Sequence, residues 1–386
     1  MSEWREMSLG ELTENFDGQR IPVKETERKP GPYPYYGASG IVDHVDQHIF
    51  DGEFLLIAED GENFRTRKTP VAFLARGKFW VNNHAHIVTG NERGDTRFLM
   101  YALNNGDISG YLTGSTMPKL TQGNMNRIPI LTPPLSEQRA IASVLGALDD
   151  KIELNRRMNE TLEAMARALF QNSFADATQA ALPKGWRYAT ISELCDINSW
   201  TLNKGDGLDR IEYVEISEVS RGDIASIQVF QRGEEPSRAR RRLRHGDTVL
   251  STVRPERGSY FLCLNRSPNL IASTGFAVVT PTKAPWSFIH AALTHPEVSE
   301  HLGQQADGGA YPAVRPEIIG KWEVPWPDKP KKVEQFHRAC APLYERAEYN
   351  RLESRTLAAL RDALLPQLLS GELRVPAAAK LAEARA

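Results

Sequence analysis

The sequence predicts an α+β fold built as an internal repeat: two similar globular α/β domains, each followed by a long helix. Three observations lead there. The chain matches itself once, through five segments in the same order; each copy sets short β-branched runs between Gly and Pro turns; and each copy ends in a run with heptad spacing. At roughly 150 residues per domain, a chain of 386 residues has room for two or three domains, each with its own core. With 41% apolar and 25% charged residues, wholesale disorder, a collagen and a disulfide mini-scaffold are set aside.

The copies open alike. Trp4-Arg5 followed by Ser8-Leu9-Gly10-Glu11-Leu12 answers Trp186-Arg187 followed by Thr190-Ile191-Ser192-Glu193-Leu194, an offset of 182. DGEFLLIA from Asp51 pairs with HGDTVLST from His245 at offset 194, and HAHIV from His84 with GFAVV from Gly275 at offset 191. Both pairs read as buried strands. Gly114-Ser115-Thr116-Met117-Pro118 pairs with Gly308-Gly309-Ala310-Tyr311-Pro312 at offset 194. Each leads to a proline-marked boundary, IPILTPP from Ile128 or WEVPWP from Trp322, where the globular stretch ends. Leu148 to Phe170 laid on Leu343 to Leu365 gives nine identities in 23 positions at offset 195. Offsets held between 182 and 195 describe one duplicated unit with loop insertions.

These marks divide the chain into a first domain at 1–134, a helix at 135–174, a linker at 175–182, a second domain at 183–328, a second helix at 329–371 and a tail at 372–386. Ser136, after Pro133-Pro134, is the expected N-cap of the first helix, with Glu137 in its first turn. Four- and three-residue steps join Leu148, Ile152, Asn155, Asn159, Leu162, Ala166 and Leu169 in the first helix. The second does the same with Leu343, Ala347, Asn350, Ser354, Leu357, Arg361 and Leu364. Asn155 and Asn350, equivalent in the repeat, resemble the buried polar residues that fix coiled-coil register at some cost in stability. The blander alternative is two amphipathic helices, each packed on its own domain. In QLLSGEL, Gly371 marks a helix end.

Several chemistries lack their residues. There is no GxxxxGK[ST] phosphate loop, no GxSxG and no GxGxxG after a strand. Thr132-Pro133-Pro134-Leu135 has neither the preceding Asn, Asp or Ser nor the following aromatic with which an amino-methyltransferase grips a flipped base. No catalytic residue is assigned. Cys195, Cys263 and Cys340 form no CxxC pair, which speaks against a disulfide framework or zinc knuckle and suits a reducing cytoplasm. The first thirty residues carry no secretory signal, and no apolar run of about eighteen residues offers a membrane span.

The 47 basic and 49 acidic residues leave a net charge of −2, so a case for DNA is regional. Arg238, Arg240, Arg241, Arg242, Arg244 and His245 crowd RARRRLRH just before the strand at Thr248, and Arg254 and Arg257 follow in VRPERG. Guanidinium forks match phosphate oxygens and the O6/N7 edge of guanine; the alternative is a solvated face. In the first copy the basic residues are sparser, Lys119 among them. There Asn82-Asn83 beside His84 and His86 supplies paired donors and acceptors suited to adenine edges, or else a purely structural cluster. His84 and His86 fall at alternate strand positions without an identifiable third ligand, so no metal site is assigned.

YPYYGASGIVDHV (from Tyr33), DGEFLLIAEDG (from Asp51), FWVNNHAHIV (from Phe79), GSTMPKLTQGNMNRIPILTPPLSEQRAIASVLGALDDKI (from Gly114) and LLPQLLSGELRV (from Leu364) closely resemble the specificity subunit of Type I restriction-modification enzymes. The resemblance runs over nearly the full chain in the family's order, and PPLSEQRAIA and LLPQLLSGEL are its most specific signals. It implies a cytoplasmic, non-catalytic subunit whose two target-recognition domains read a bipartite site in double-stranded DNA. The two spacer helices would pair as an antiparallel coiled coil and set the gap between half-sites. Partners would be two methylation subunits, bringing S-adenosylmethionine, and two restriction subunits that complete an ATP-dependent nuclease. On that footing the chain itself binds no cofactor, and ATP and Mg²⁺ belong to the partners. STVRPERG and ASTGFAVV, where the first copy has IAEDG and NNHAHIV, place the second domain in a different recognition subtype. The resemblance thus fixes the task and leaves the DNA sequence open. The alternatives are a specificity module of another defence system or of a methyltransferase-only complex, and a coiled-coil scaffold without DNA function.

Overall fold

The computed structural model describes residues 4–174, 182–264, 267–309 and 311–376. All of the expected linker except Leu182, and the tail beyond residue 376, lie outside the described residues. The chain divides into two compact units, one formed by residues up to Glu153 together with those from Glu353 on, the other by Leu154–Leu352.

The first unit begins with β1 (Arg5–Ser8) and the single-turn helix α1 (Leu9–Leu12). The Ser8 N–H and hydroxyl both donate to the Glu11 carboxylate (2.9 and 2.7 Å), which is why Ser and Glu stand three apart in the opening motif. A six-stranded sheet follows from β2 (Thr13–Asn15), β3 (Pro30–Gly37), β4 (Gly40–Val45), β5 (Phe50–Ala58), β6 (Ala72–Val81) and β7 (Ala85–Gly90), in the order β2-β7-β5-β6-β3-β4. Strand β5 is buried on both faces, as its unbroken FLLIA run requires. Leu55 and Ile57 point into a core shared with the long helices, and Leu56 into an aromatic core with Phe50 and Phe79. Helices α2 (Asn63–Thr66), α3 (Thr96–Asn105) and α4 (Gln122–Asn126) precede β8 (Pro129–Thr132), which pairs antiparallel with β1.

Helix α5 (Leu135–Phe174) then runs for 40 residues. The Pro134 carbonyl accepts the N–H groups of Glu137 and Gln138 (2.8 and 3.0 Å), so the helix starts at Leu135 and Ser136 lies inside its first turn, not at the cap.

The second unit repeats the opening: β9 (Trp186–Thr190), then α6 (Ile191–Leu194), with the Thr190 N–H donating to Glu193 (3.2 Å). Its strands are β10 (Cys195–Ile197), β11 (Arg210–Val214), β12 (Gln228–Gln231), β13 (Ala239–Arg242), β14 (Asp247–Ser251), β15 (Tyr260–Cys263), β16 (Leu270–Ser273) and β17 (Phe276–Pro281). The sheet β10-β17-β14-β15 reproduces the order β2-β7-β5-β6 of the first unit, so HGDTVLST and GFAVV occupy the places of DGEFLLIA and HAHIV. Beyond that shared half the units differ: the first continues into β3-β4, and the second builds a separate sheet, β12-β11-β16-β13. Helices α7 (Trp286–Leu293), α8 (Pro296–Gln304) and α9 (Pro316–Gly320) precede β18 (Glu323–Pro327), which pairs with β9 as β8 does with β1.

Helix α10 (Lys331–Ser370), also of 40 residues, ends where Gly371 turns to φ +77°. A side chain there would meet the Trp4 ring at 3.3 Å, a second reason for glycine. Within each unit α5 and α10 run antiparallel. In the first, Leu148, Leu357 and Leu364 are buried in the core with Ile152 packed against it, and Arg361 pairs with Asp149 at 2.7 Å. In the second, Asn155 donates to the Asn350 carbonyl (3.4 Å), Asn350 to the Asn159 side chain (2.8 Å) and Asn159 to the Ala347 carbonyl (3.1 Å). Leu162 is half-buried and Leu343 packs on the core, but Leu169 is 37% exposed. A 3.6-residue helix drifts from a strict heptad, and here Phe170 and Phe174 take the buried side instead, against Phe288 and Phe336.

Candidate nucleic-acid interface

In the first unit the expected Asn-His cluster separates into an inner and an outer pair. Strand β6 ends at Val81 and β7 begins at Ala85, so Asn83 and His84 sit in the turn between them and the alternation assumed for His84 and His86 does not hold. Asn82 is buried, its side-chain amide oxygen accepting the His84 N–H at 2.8 Å. His86, 2% exposed, has its ring nitrogens 2.5 Å from the Asp17 carboxylate and 2.8 Å from the Leu120 carbonyl. Burial opposes ionisation of Asp17, yet hydrogen bonds from His86 and the Ile87 N–H, with the charges of His86 and Arg20, hold its carboxyl below the ordinary value. Both polar atoms of His86 are thus committed to the fold, and neither Asn82 nor His86 offers an edge to a base. Asn83 and His84 are exposed, His84 leaning on Asp60 at 2.8 Å. Lys119 extends to Glu59 (3.2 Å), which Arg20 also binds (2.8 Å). Among the described residues no group of three or more His, Cys, Asp or Glu is placed to hold a metal ion.

In the second unit the arginine run, which includes β13, is sorted by burial. Ala239 and Leu243 are buried, and Arg238, Arg244 and His245 are exposed. Arg242, its side chain only 12% exposed, pairs with Asp206 at 2.9 Å and lies over the Trp200 ring at 3.9 Å. Arg244 approaches the same ring at 4.8 Å, while its N–H donates to Asp247 at 2.7 Å. Arg240 reaches toward Glu235 (3.9 Å), and burial lowers the pKa of Arg241. Arg242 is therefore a structural residue, and the charge that faces water is that of Arg238, Arg244 and part of Arg240. Trp200, a platform that no charge count reveals, lies some forty residues before the arginines it carries. Its signal is an isolated Trp in a polar loop, INSWTLNKGD. Arg254, in the left-handed region at φ +48°, stacks on Tyr311 at 5.0 Å, and Arg257 is exposed beside it.

With two strand-and-helix units of one plan, each presenting basic or amide side chains at strand ends, the chain can be set beside known proteins. Residues 1–164 match the Type I restriction modification DNA specificity domain. A putative type I restriction enzyme specificity subunit of Haemophilus influenzae is 42% identical over 150 residues, 38% of this chain and 37% of that protein. The HindI specificity subunit of the same organism is 22% identical with 97% of this chain and all of that protein aligned, and the MjaIX specificity subunit of Methanocaldococcus jannaschii is 22% identical with 97% of each aligned. The fold is that of the Type-I restriction-modification system S subunit from M. genitalium, at TM-score 0.63 and 16% identity over 95% of this chain and 96% of that one. Over nearly its full length the chain is thus similar to specificity subunits of Type I restriction enzymes, and its first 164 residues match their DNA specificity domain.

Proposed function

We propose that this chain is the non-catalytic DNA-reading subunit of a Type I system, each unit reading one half of a bipartite duplex target. The observation that carries the reading is the duplicated plan itself: two units that share one four-stranded order and the same strand-end loop closure but carry different exposed side chains. Paired DNA readers engage two half-sites at fixed spacing. Asn83 and His84 would serve the first half-site, and Arg238, Arg244 and Arg257 the second. The methylation subunits, two per chain in this reading, would bring S-adenosylmethionine, and two restriction subunits would bring ATP and Mg²⁺ chemistry. No described helix is long and apolar enough to cross a membrane, which suits work on DNA in the cytoplasm. The test is co-expression with a Type I methylation subunit from the same host, followed by genome-wide mapping of modified bases. A split motif with a fixed gap is expected. Modification at one continuous site would overturn the two-reader assignment.

A further inference from the structure

The Gly-x-x-x-Pro segment is closed by the same backbone hydrogen bonds in both copies. In the first unit Thr113 and Lys119 exchange both backbone hydrogen bonds (2.8 and 2.7 Å). This closure is pinned to the end of β5, where the Leu120 N–H donates to the Glu59 carbonyl (2.7 Å) and the Gly61 N–H to that of Pro118 (3.2 Å). In the second unit Asp307 and Ala313 make the same exchange (3.0 and 2.8 Å). There the Val314 N–H donates to the Thr252 carbonyl (2.9 Å) and the Arg254 N–H to that of Pro312 (2.8 Å), at the end of β14. Gly114 and Gly308 open the loops at φ +87° and +110°, and a Cβ on Gly114 would stand 2.3 Å from the Met117 carbonyl oxygen, so the turn needs glycine.

Each loop carries one large apolar side chain at its tip, and it is turned outward. Met117 is 58% exposed and Tyr311 74%, the highest value among the described large apolar side chains. An arginine backs each. Arg65 donates to the carbonyls of Ser115 and Thr116 (3.0 and 3.3 Å), and the Arg254 guanidinium lies 5.0 Å from the Tyr311 ring centre. Such a tip, on a hydrogen-bonded and cation-backed loop, leaves most of its apolar surface in water. It is the arrangement with which proteins press a side chain against a base step while phosphates are held nearby.

We infer that Met117 and Tyr311 are the duplex-entering residues of the two units, each packing against a base step within its own half-site. This rests on the DNA-reading function proposed above. The flexible thioether and the planar ring would meet different steps, so the shared loop supplies the insertion and the tip residue the discrimination.

The test uses the complex with its methylation subunit on duplexes carrying the mapped target, with 2-aminopurine placed in turn through each half-site. Wild type is expected to unstack one position in each. Tyr311→Ala should abolish the fluorescence change in one half-site and Met117→Ala in the other, each weakening specific binding by roughly tenfold. Tyr311→Phe should keep both. The salt dependence should stay as in wild type, because no phosphate contact is removed. Unchanged affinity and fluorescence in both alanine variants, beside a wild-type complex that binds its target, would overturn the inference. A wild-type complex with no site preference would overturn the DNA-reading function on which it rests.

Discussion

Five arginines in eight residues look uniform in a sequence and are not so in the fold. The Trp200 ring and Asp206 draw Arg242 inward, and Arg238 and Arg244 stay in water. Periodicity shows which residues share a face but not which distant ring that face meets. The same gap hid the acceptors of His86, contributed by Asp17 and Leu120 from other segments. Two buried groups of the second unit give the residue scale its prediction. Burial pushes the carboxyl of Asp247 in β14 up to about 6, against the Arg244 N–H that favours its ionised form, and burial, aided by the charge of Arg351, pulls the His290 imidazole of α7 down to about 3. Unfolded Asp and His titrate near 4 and 6.5. Folded Asp247 holds a proton that the unfolded chain releases, so its stabilising contribution is full below about pH 4 and lost as pH rises through 6. Folded His290 stays neutral where the unfolded residue is charged, so its contribution is present above about pH 6.5 and falls away toward pH 3. In thermal melts, Asp247→Asn should gain about 2 kcal/mol on wild type between pH 4.5 and 7.5. His290→Gln should lose about as much over the same interval. A pH-independent offset in either variant would refute the corresponding burial effect.

At the level of elements, local signals did most to make the fold legible. The capping pairs Ser8/Glu11 and Thr190/Glu193, the two-faced run of β5 and Gly371 after α10 all act within a few residues. What the sequence withheld was non-local. Nothing in the β-branched runs announces that β3-β4 extend one sheet while β11, β12, β13 and β16 form another, since strand partners depend on closure over long loops. The helix seam lies between these cases: its spacing found Asn155 and Asn350, and the side chains of Phe170 and Phe174 moved it off Leu169. The asparagine chain from Asn155 through Asn350 to Asn159 stands at full burial for the first two. Polar residues in such a seam trade stability for a single register. Asn155→Leu with Asn350→Leu should therefore raise the melting midpoint, by about 1 kcal/mol in stability, and add mixed oligomers in sedimentation velocity. A variant as monodisperse as wild type would remove the register role.

For the molecule as a whole, the two long helices each give one half to one unit and one half to the other, the division falling after Glu153 in α5 and after Leu352 in α10. An antiparallel pair divided in this way can be lengthened at one level without disturbing either core. Seven residues inserted after Glu153 and seven after Leu352 add about 10 Å of helix at 1.5 Å per residue. That equals about three base pairs at 3.4 Å each. Because seven residues fall about 20° short of two whole turns, the seam keeps its face, whereas an insertion of three or four would turn it by about 60° or 40° and strain the pairing. If each unit reads one half-site, the double heptad variant should methylate the same two half-sites with a gap about three base pairs longer. A heptad in α5 alone should mismatch the Asn155–Asn350 level against the rest of the seam and abolish methylation. Mapping modified bases in cells carrying each variant separates the cases: an unchanged gap in the double variant would mean that something other than the helices spaces the readers.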